Sequence, residues 1–182
     1  TDGSSISYGK PNRGRLIDGA KLPDQGPGYV TPLTWKTRGN RYGTDELLAQ
    51  VSDAATRGVA LRIVGGDTKR FHGRAIDGVP LATREHTGIL RHDPAELVLT
   101  ARSGTPLAEV EAQLAAHGQR LPFEPPHFGG DATLGGTVAA GLAGPARAWA
   151  GPLRDYVLGA RILTGDGRVL RFGGEVMKNV AG

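Results

Sequence analysis

Arg62-Ile63-Val64-Gly65-Gly66-Asp67-Thr68-Lys69 and Ala132-Thr133-Leu134-Gly135-Gly136-Thr137-Val138-Ala139-Ala140-Gly141 decide how this chain reads. The first follows the apolar run 60–64, and the second opens a helix of small residues. Glycine lets the main chain approach a ligand closely and adopt positive φ, so each turn can aim bare backbone N–H groups at a phosphate. Either turn alone is a common feature. Together, in a chain with 29 glycines, they point to a diphosphate ligand clamped between two lobes.

The sequence around them sets the limits. A chain of 182 residues holds one domain, or one domain with an appendage. Aromatics make up 5% of it, and glycine and proline supply loops in their place. No run of eighteen apolar residues is present. No signal peptide is evident, and the chain opens as if cut from something longer. Without cysteine there is no thiolate nucleophile, iron–sulfur cluster or cysteine-zinc site. The net charge of +4 is spread thinly, with basic residues beside acids as in Arg91-His92-Asp93, which argues against nucleic acid.

Residues 1–43 read as an irregular arm, with Pro11, Pro23, Pro27 and Pro32 and a hairpin at Leu16-Ile17-Asp18-Gly19. From Thr44 onward a second region, 44–182, is patterned. Thr44 caps a helix with Leu47, Leu48, Val51, Ala54 and Ala55 on one face, and Gly58 ends it. Leu61–Val64 reads as a buried strand and 97–101 as another. Thr105-Pro106 starts a helix with proline in its first turn, lined by Leu107, Val110 and Leu114 and stopped at Gly118. The prolines of 122–131 demand a shaped loop. A small helix follows over 134–142, then strands 156–163 and 168–172 around Gly165-Asp166-Gly167. The order predicts an α+β or α/β fold of two small lobes. It is not the alternating dinucleotide fold, because no G-x-G-x-x-G leads from the first strand into a helix.

With these motifs in place, a resemblance emerges. The first turn, 96–105 (Glu-Leu-Val-Leu-Thr-Ala-Arg-Ser-Gly-Thr) and 122–128 (Pro-Phe-Glu-Pro-Pro-His-Phe) resemble the FAD-binding domain of the p-cresol methylhydroxylase and vanillyl-alcohol oxidase type. The second turn, 149–155 (Trp-Ala-Gly-Pro-Leu-Arg-Asp) and 173–182 (Gly-Gly-Glu-Val-Met-Lys-Asn-Val-Ala-Gly) narrow it to the FAD-binding E subunits of bacterial glycolate oxidases. The resemblance implies a two-lobed α+β flavoprotein domain whose second lobe is incomplete, since the family continues beyond Gly182. It places Val64, Gly65, Gly66, Asp67, Thr68 and Lys69 on the FAD pyrophosphate. Thr133, Leu134, Gly135, Gly136, Ala139 and Gly141 would lie along the cofactor, with Asp155 and Val157 near its remainder.

The expected role is a subunit of a 2-hydroxy-acid (glycolate) oxidoreductase, cytoplasmic and peripheral to the inner membrane through partner subunits. Covalent members carry a histidine in the first turn. Asp67 and Thr68 stand there instead, implying non-covalent FAD. Asp67 departs from the usual small neutral residue, and its carboxylate must point outward or pair with Lys69 or Arg70. The arm faintly resembles the stretch before the core of murein endopeptidases, but the His-x-His zinc ligands are absent. A non-catalytic assembly module, or an inactive cell-wall-related chimera, are the alternatives.

No metal site is expected from His72, His86, His92, His117 and His127, whose spacing suits none. His117 reads as an exposed helix-end residue, and His127 is the one to test near a flavin. Glu124 is a loop carboxylate with a base as its alternative role. Trp35 and Trp149 read as packing anchors. Nothing nominates a nucleophile or a catalytic residue.

Overall fold

The computed structural model describes residues 44–174, together with the backbone of 5–6 and 35–36. The hairpin expected at 16–19, the Trp35 side chain and the motif at 175–182 lie outside the described residues. Two short strands, β1 (Ser5–Ile6) and β2 (Trp35–Lys36), pair antiparallel. Among the described residues from 44 onward, one compact unit gathers 44–63, 76–81 and 163–169, and a second gathers 64–75, 82–162 and 170–174.

The first unit is organised by α1 (Thr44–Arg57), which runs as the spacing predicts and ends at Gly58 with φ 64°. Leu47 and Val51 from its inner face meet Leu81, and Leu61 and Leu163 pack against them. Each such aliphatic side chain removed from water contributes roughly 1.5–3 kcal/mol. Leu61 opens β3 (Leu61–Val64) and Leu81 sits in β4 (Val79–Ala82).

These two strands are hydrogen-bonded neighbours. The Val79 N–H donates to the Ala60 carbonyl and the Thr83 N–H to Val64, so partner numbers rise together, the register of a parallel pair. A parallel pair cannot close with a tight hairpin and needs a long connection. Here that connection is 65–78, and the first glycine turn is its opening stretch. The strand β3 is half-buried rather than buried as expected, with Ile63 74% exposed. One neighbouring strand covers only part of its surface.

In the second unit, β5 (Ile89–Asp93) and β6 (Val98–Ala101) form an antiparallel pair with an irregularity between Ile89 and Arg91. The helix α2 (Leu107–Ala115) follows, with Leu107, Val110 and Leu114 all buried. Pro106 stands at its N-cap, one place earlier than first-turn proline would be. Its carbonyl accepts the N–H groups of Glu109 and Val110. The far end of α2 is tied to β5 through His92, which contacts the amides of Gln113 at 3.2 Å and Gln119 at 3.0 Å. The loop at 122–131 carries no helix or strand, as its prolines require.

Then come α3 (Leu134–Ala140), the short α4 (Arg147–Ala150) and a 3-10 turn (Leu153–Tyr156). Two further strands, β7 (Gly159–Leu163) and β8 (Val169–Gly173), pair around Gly165–Gly167. The strand expected from Tyr156 therefore starts three residues late. Pro152 turns the chain, Leu153 is buried, and the Tyr156 hydroxyl donates to the Ala150 carbonyl. Trp149 is 88% exposed and is not a packing anchor, because four residues of helix give it no described neighbour to cover.

His86 links several of these segments. Its carbonyl accepts the Gly104 N–H, its N–H donates to Thr83, and its ring lies 3.3 Å from the Ser103 hydroxyl. Burial, then the charges of Arg102 and Arg161, hold its pKa below the ordinary 6.5. The unfolded chain therefore takes up this proton first, so stability falls as pH drops below about 6.5. His86→Gln should lose less thermal stability than the parent between about pH 7.5 and about pH 5.5, read as the difference in Tm at the two values. In the core, Leu107→Ala leaves a cavity at a site with 0% exposure and should cost about 2–5 kcal/mol in denaturant unfolding.

Candidate functional site

The chain leaves β3 at Val64, whose carbonyl is held by both the N–H and the hydroxyl of Thr83, at 2.8 and 3.2 Å. Gly65 and Gly66 then pass directly against the second turn. A Cβ added to Gly65 would lie 2.7 Å from the Thr133 hydroxyl oxygen, and one on Gly66 would fall on the Asp131 carbonyl. Any side chain at Gly66 would force the two turns apart. Asp67 takes the left-handed conformation at φ 55°, which aspartate tolerates better than most residues. From Gly65 to Arg70 no backbone N–H donates to an acceptor among the described residues. Consecutive amides in such a turn form an anion-binding concavity.

Charge around this turn is arranged in pairs. Asp67 faces Arg70, with Nε to Oδ2 at 3.6 Å, and Asp131 faces Arg84 at 2.5 Å. Both acids near the amides are thus offset by a cation. Lys69 adds an ammonium 5.9 Å above the Phe128 ring, and partial burial lowers its pKa from the ordinary range. Phe128 sits at φ 53° and meets Phe71 edge-on, with 4.9 Å between centroids. Thr68 is half-buried.

The second turn is built differently. Ala132 and Thr133 are buried, and Pro106 and Thr133 form an isolated bridge. The Leu134 N–H donates to Thr105, and that of Gly135 to Ser103 at 2.7 Å. Gly136 donates to the Thr133 hydroxyl and Thr137 to the Thr133 carbonyl. So the amides that the sequence offered as bare are already engaged. Gly135 is needed for packing, since a Cβ there would lie 2.7 Å from that of Ser103. The second turn is the seat, and the first turn carries the open amides. Thr83, Ser103 and Thr105 are the residues sequence reasoning missed, although the Ser103-Gly104-Thr105 stretch was in view.

Beyond α3 the remaining predicted residues separate from the turns. Gly141 ends the helix at φ 63°, while Ala139 is exposed on its surface. Gly141 and Val157 line a groove of about 370 Å³ with Val138, Arg147, Pro152, Leu153 and Arg154. Asp155 is exposed and lies 3.6 Å from Arg154. His127 contacts Glu111 at 2.9 Å, and Glu124 accepts the Ala146 N–H at 3.0 Å, so both have structural partners. His117 is exposed at the helix end, as expected, with its ring against the Gln113 carbonyl. No helix among the described residues is long and apolar enough to cross a membrane.

This arrangement can be set beside known proteins. The chain is 58% identical over 136 residues to glycolate oxidase subunit GlcE of Escherichia coli (strain K12), covering 75% of this chain and 39% of that one. It is 31% identical over 143 residues to D-lactate dehydrogenase of Archaeoglobus fulgidus, covering 76% and 31%. Among solved structures it resembles an alkyldihydroxyacetonephosphate synthase, with a TM-score of 0.59 at 22% identity over 77% of this chain and 26% of that one. It also resembles Phl p 4.0202, a glucose dehydrogenase, with a TM-score of 0.61 at 15% identity over 81% and 30%. These two likenesses bear on the fold. The chain spans about two fifths of the length of the GlcE relative and 31% of the length of the lactate dehydrogenase. A family model described as FAD binding domain matches residues 43–173, and with its α+β fold and paired glycine turns the chain belongs to that family, whose cofactor is FAD.

Proposed function

We propose that this chain holds FAD non-covalently as part of the E subunit of a glycolate oxidase, within 44–182 and preceded by the arm 1–43. The observation that carries the reading is the first turn: amides from Gly65 to Arg70 without protein acceptors among the described residues, seated on the second turn by two glycines. These residues suit a pyrophosphate, whose two negative charges need several N–H donors at close range. Val64, Gly65, Gly66, Asp67, Thr68 and Lys69 would take it. Thr133, Leu134, Gly135 and Gly136 would hold that turn in place. Ala139, Gly141, Asp155 and Val157 would lie toward the rest of the cofactor. No residue of the first turn offers an imidazole for a covalent link.

When bound, FAD supplies hydride chemistry, here on a 2-hydroxy acid as the name of the GlcE relative suggests. The chain's own part is to bind, orient and shield it. The word subunit in that relative's name supports assembly with other subunits, from which a place at the inner membrane would follow. The 88% exposed Trp149 favours a second reading of the same chain as an assembly module.

Titration of the purified chain with FAD should show saturable binding by flavin fluorescence. Gly66→Ala should abolish it, because the added carbon displaces the turn from its seat. Saturable binding unaffected by that change would remove the turn from the site. Asp67→Asn keeps a residue suited to positive φ and removes a negative charge beside the pyrophosphate. It should tighten FAD binding by up to about tenfold, most visibly at low salt.

A further inference from the structure

Two exposed phenylalanines meet beside the first turn, and burial accounts for neither of them. Phe71 is 66% exposed and Phe128 50% exposed, yet their rings meet edge-on with 4.9 Å between centroids. Phe71 lies in the crossover that leaves β3, and Phe128 lies in the proline loop at 122–131. Phe128 also holds φ 53°, a left-handed backbone that an aromatic residue rarely takes. Such a conformation persists only where the surroundings over-determine it, and it collects at ligand sites. The loop is fastened on both sides of this residue. His127 contacts Glu111 on α2 at 2.9 Å, and Asp131 pairs with Arg84 while its carbonyl packs against Gly66.

What the ring holds is Lys69. Its ammonium lies 5.9 Å from the Phe128 centroid, within the range of a cation–π attraction. Lys69 is the single lysine of 44–174, and partial burial lowers its pKa from the ordinary range. A lysine stem is long and flexible, so an ammonium on a loop ordinarily sweeps a wide arc of solvent. Seated over a ring, it is confined near the turn from which it springs. Phe71 braces the same ring through its edge-on contact. The neighbouring cation is held in the opposite manner: Arg70 faces the Asp67 carboxylate, which offsets its charge. An aromatic face fixes a cation in place without neutralising it.

Resting on the FAD reading above, we propose that Phe128, braced by Phe71, is a positioning residue that keeps the Lys69 ammonium at the diphosphate. The backbone amides of the first turn are aimed by the strand and the seat beneath them. Lys69 adds the full charge that amides lack, and the ring sets where that charge stands.

The test uses the full chain with FAD and ADP, which share the diphosphate, titrated at about 50 mM and about 300 mM salt. Phe128→Leu should weaken both ligands roughly three- to fivefold at the lower salt and less at the higher. Lys69→Met should do the same or more. Adding Phe128→Leu to Lys69→Met should cost nothing further, because the ring then has no cation to hold. Phe128→Tyr, which keeps an aromatic face, should retain the parent affinity and salt dependence. Circular dichroism confirms that each variant is folded. Phe71→Leu, made in the parent and in Lys69→Met, gives the same comparison should Phe128→Leu fail to fold. No loss in the parent, equal losses in both backgrounds, or losses that salt leaves unchanged would overturn the proposal while FAD binding stands. Weaker FAD binding with ADP spared would overturn it too, by taking the contact away from the diphosphate. A parent chain that binds neither ligand overturns the underlying reading, and this proposal with it.

Discussion

The contact between Gly66 and the Asp131 carbonyl is the constraint on which the site depends. A backbone atom of one turn occupies the space that a side chain on the other would need. Two loops can approach so closely only if one of them presents no Cβ, and along that approach the amides from Gly65 to Arg70 have no acceptor among the described residues. The cost is conformational entropy, since glycine loses more freedom on ordering than any other residue. That cost is offset by the second turn, which is rigid for its own reasons. Its amides are tied to Ser103, Thr105 and Thr133, and Thr105 and Thr133 are buried. Rigidity lies in the second turn, and open donors lie in the first.

Electrostatics follow the same division. A dinucleotide site needs positive potential, yet two aspartates border the first turn. Each is offset locally, Asp67 by Arg70 and Asp131 by Arg84, so neither dominates the field at the amides. Exposed pairs of this kind contribute little to stability. Their effect here is on charge placement: each carboxylate beside the first turn has a cation at hand, with the Lys69 ammonium close by. Asp67 also earns its place by its backbone, because its left-handed φ would strain a β-branched residue.

Local signals in the sequence were read correctly because their physics is local. Gly58 and Gly118 stop helices through their own positive φ, the apolar spacing of Leu107, Val110 and Leu114 sets one helix face, and the prolines of 122–131 prohibit regular structure. The small helix expected over 134–142 instead ends at Ala140, because Gly141 turns left-handed. What escaped depends on partners far along the chain. The parallel pairing of β3 with β4 was not visible, since β4 is four residues long and contains Pro80. The engagement of the second-turn amides rests on carbonyls about thirty residues earlier. The pairing of Arg84 with Asp131 spans a longer gap, 47 residues. Trp149 was misread because a large aromatic is usually buried, and only the shortness of α4 says otherwise.

The parallel pairing explains why the glycine turn stands where it does. A crossover must leave the carboxyl end of β3, travel some distance and return to start β4 alongside it, so its first residues project beyond the strand end. Ligands of open sheets gather at such ends, because the strand fixes the direction in which the chain departs and the loop is free to shape itself around a guest. Thr83 tightens this further: by bonding Val64 through both its N–H and its hydroxyl, it pins the last strand residue before the turn. The turn thus begins from a fixed point, rests on a fixed seat, and has only its amides left to offer. Specific recognition by backbone alone requires that degree of constraint, since no side-chain rotamer is available to correct a misplaced donor.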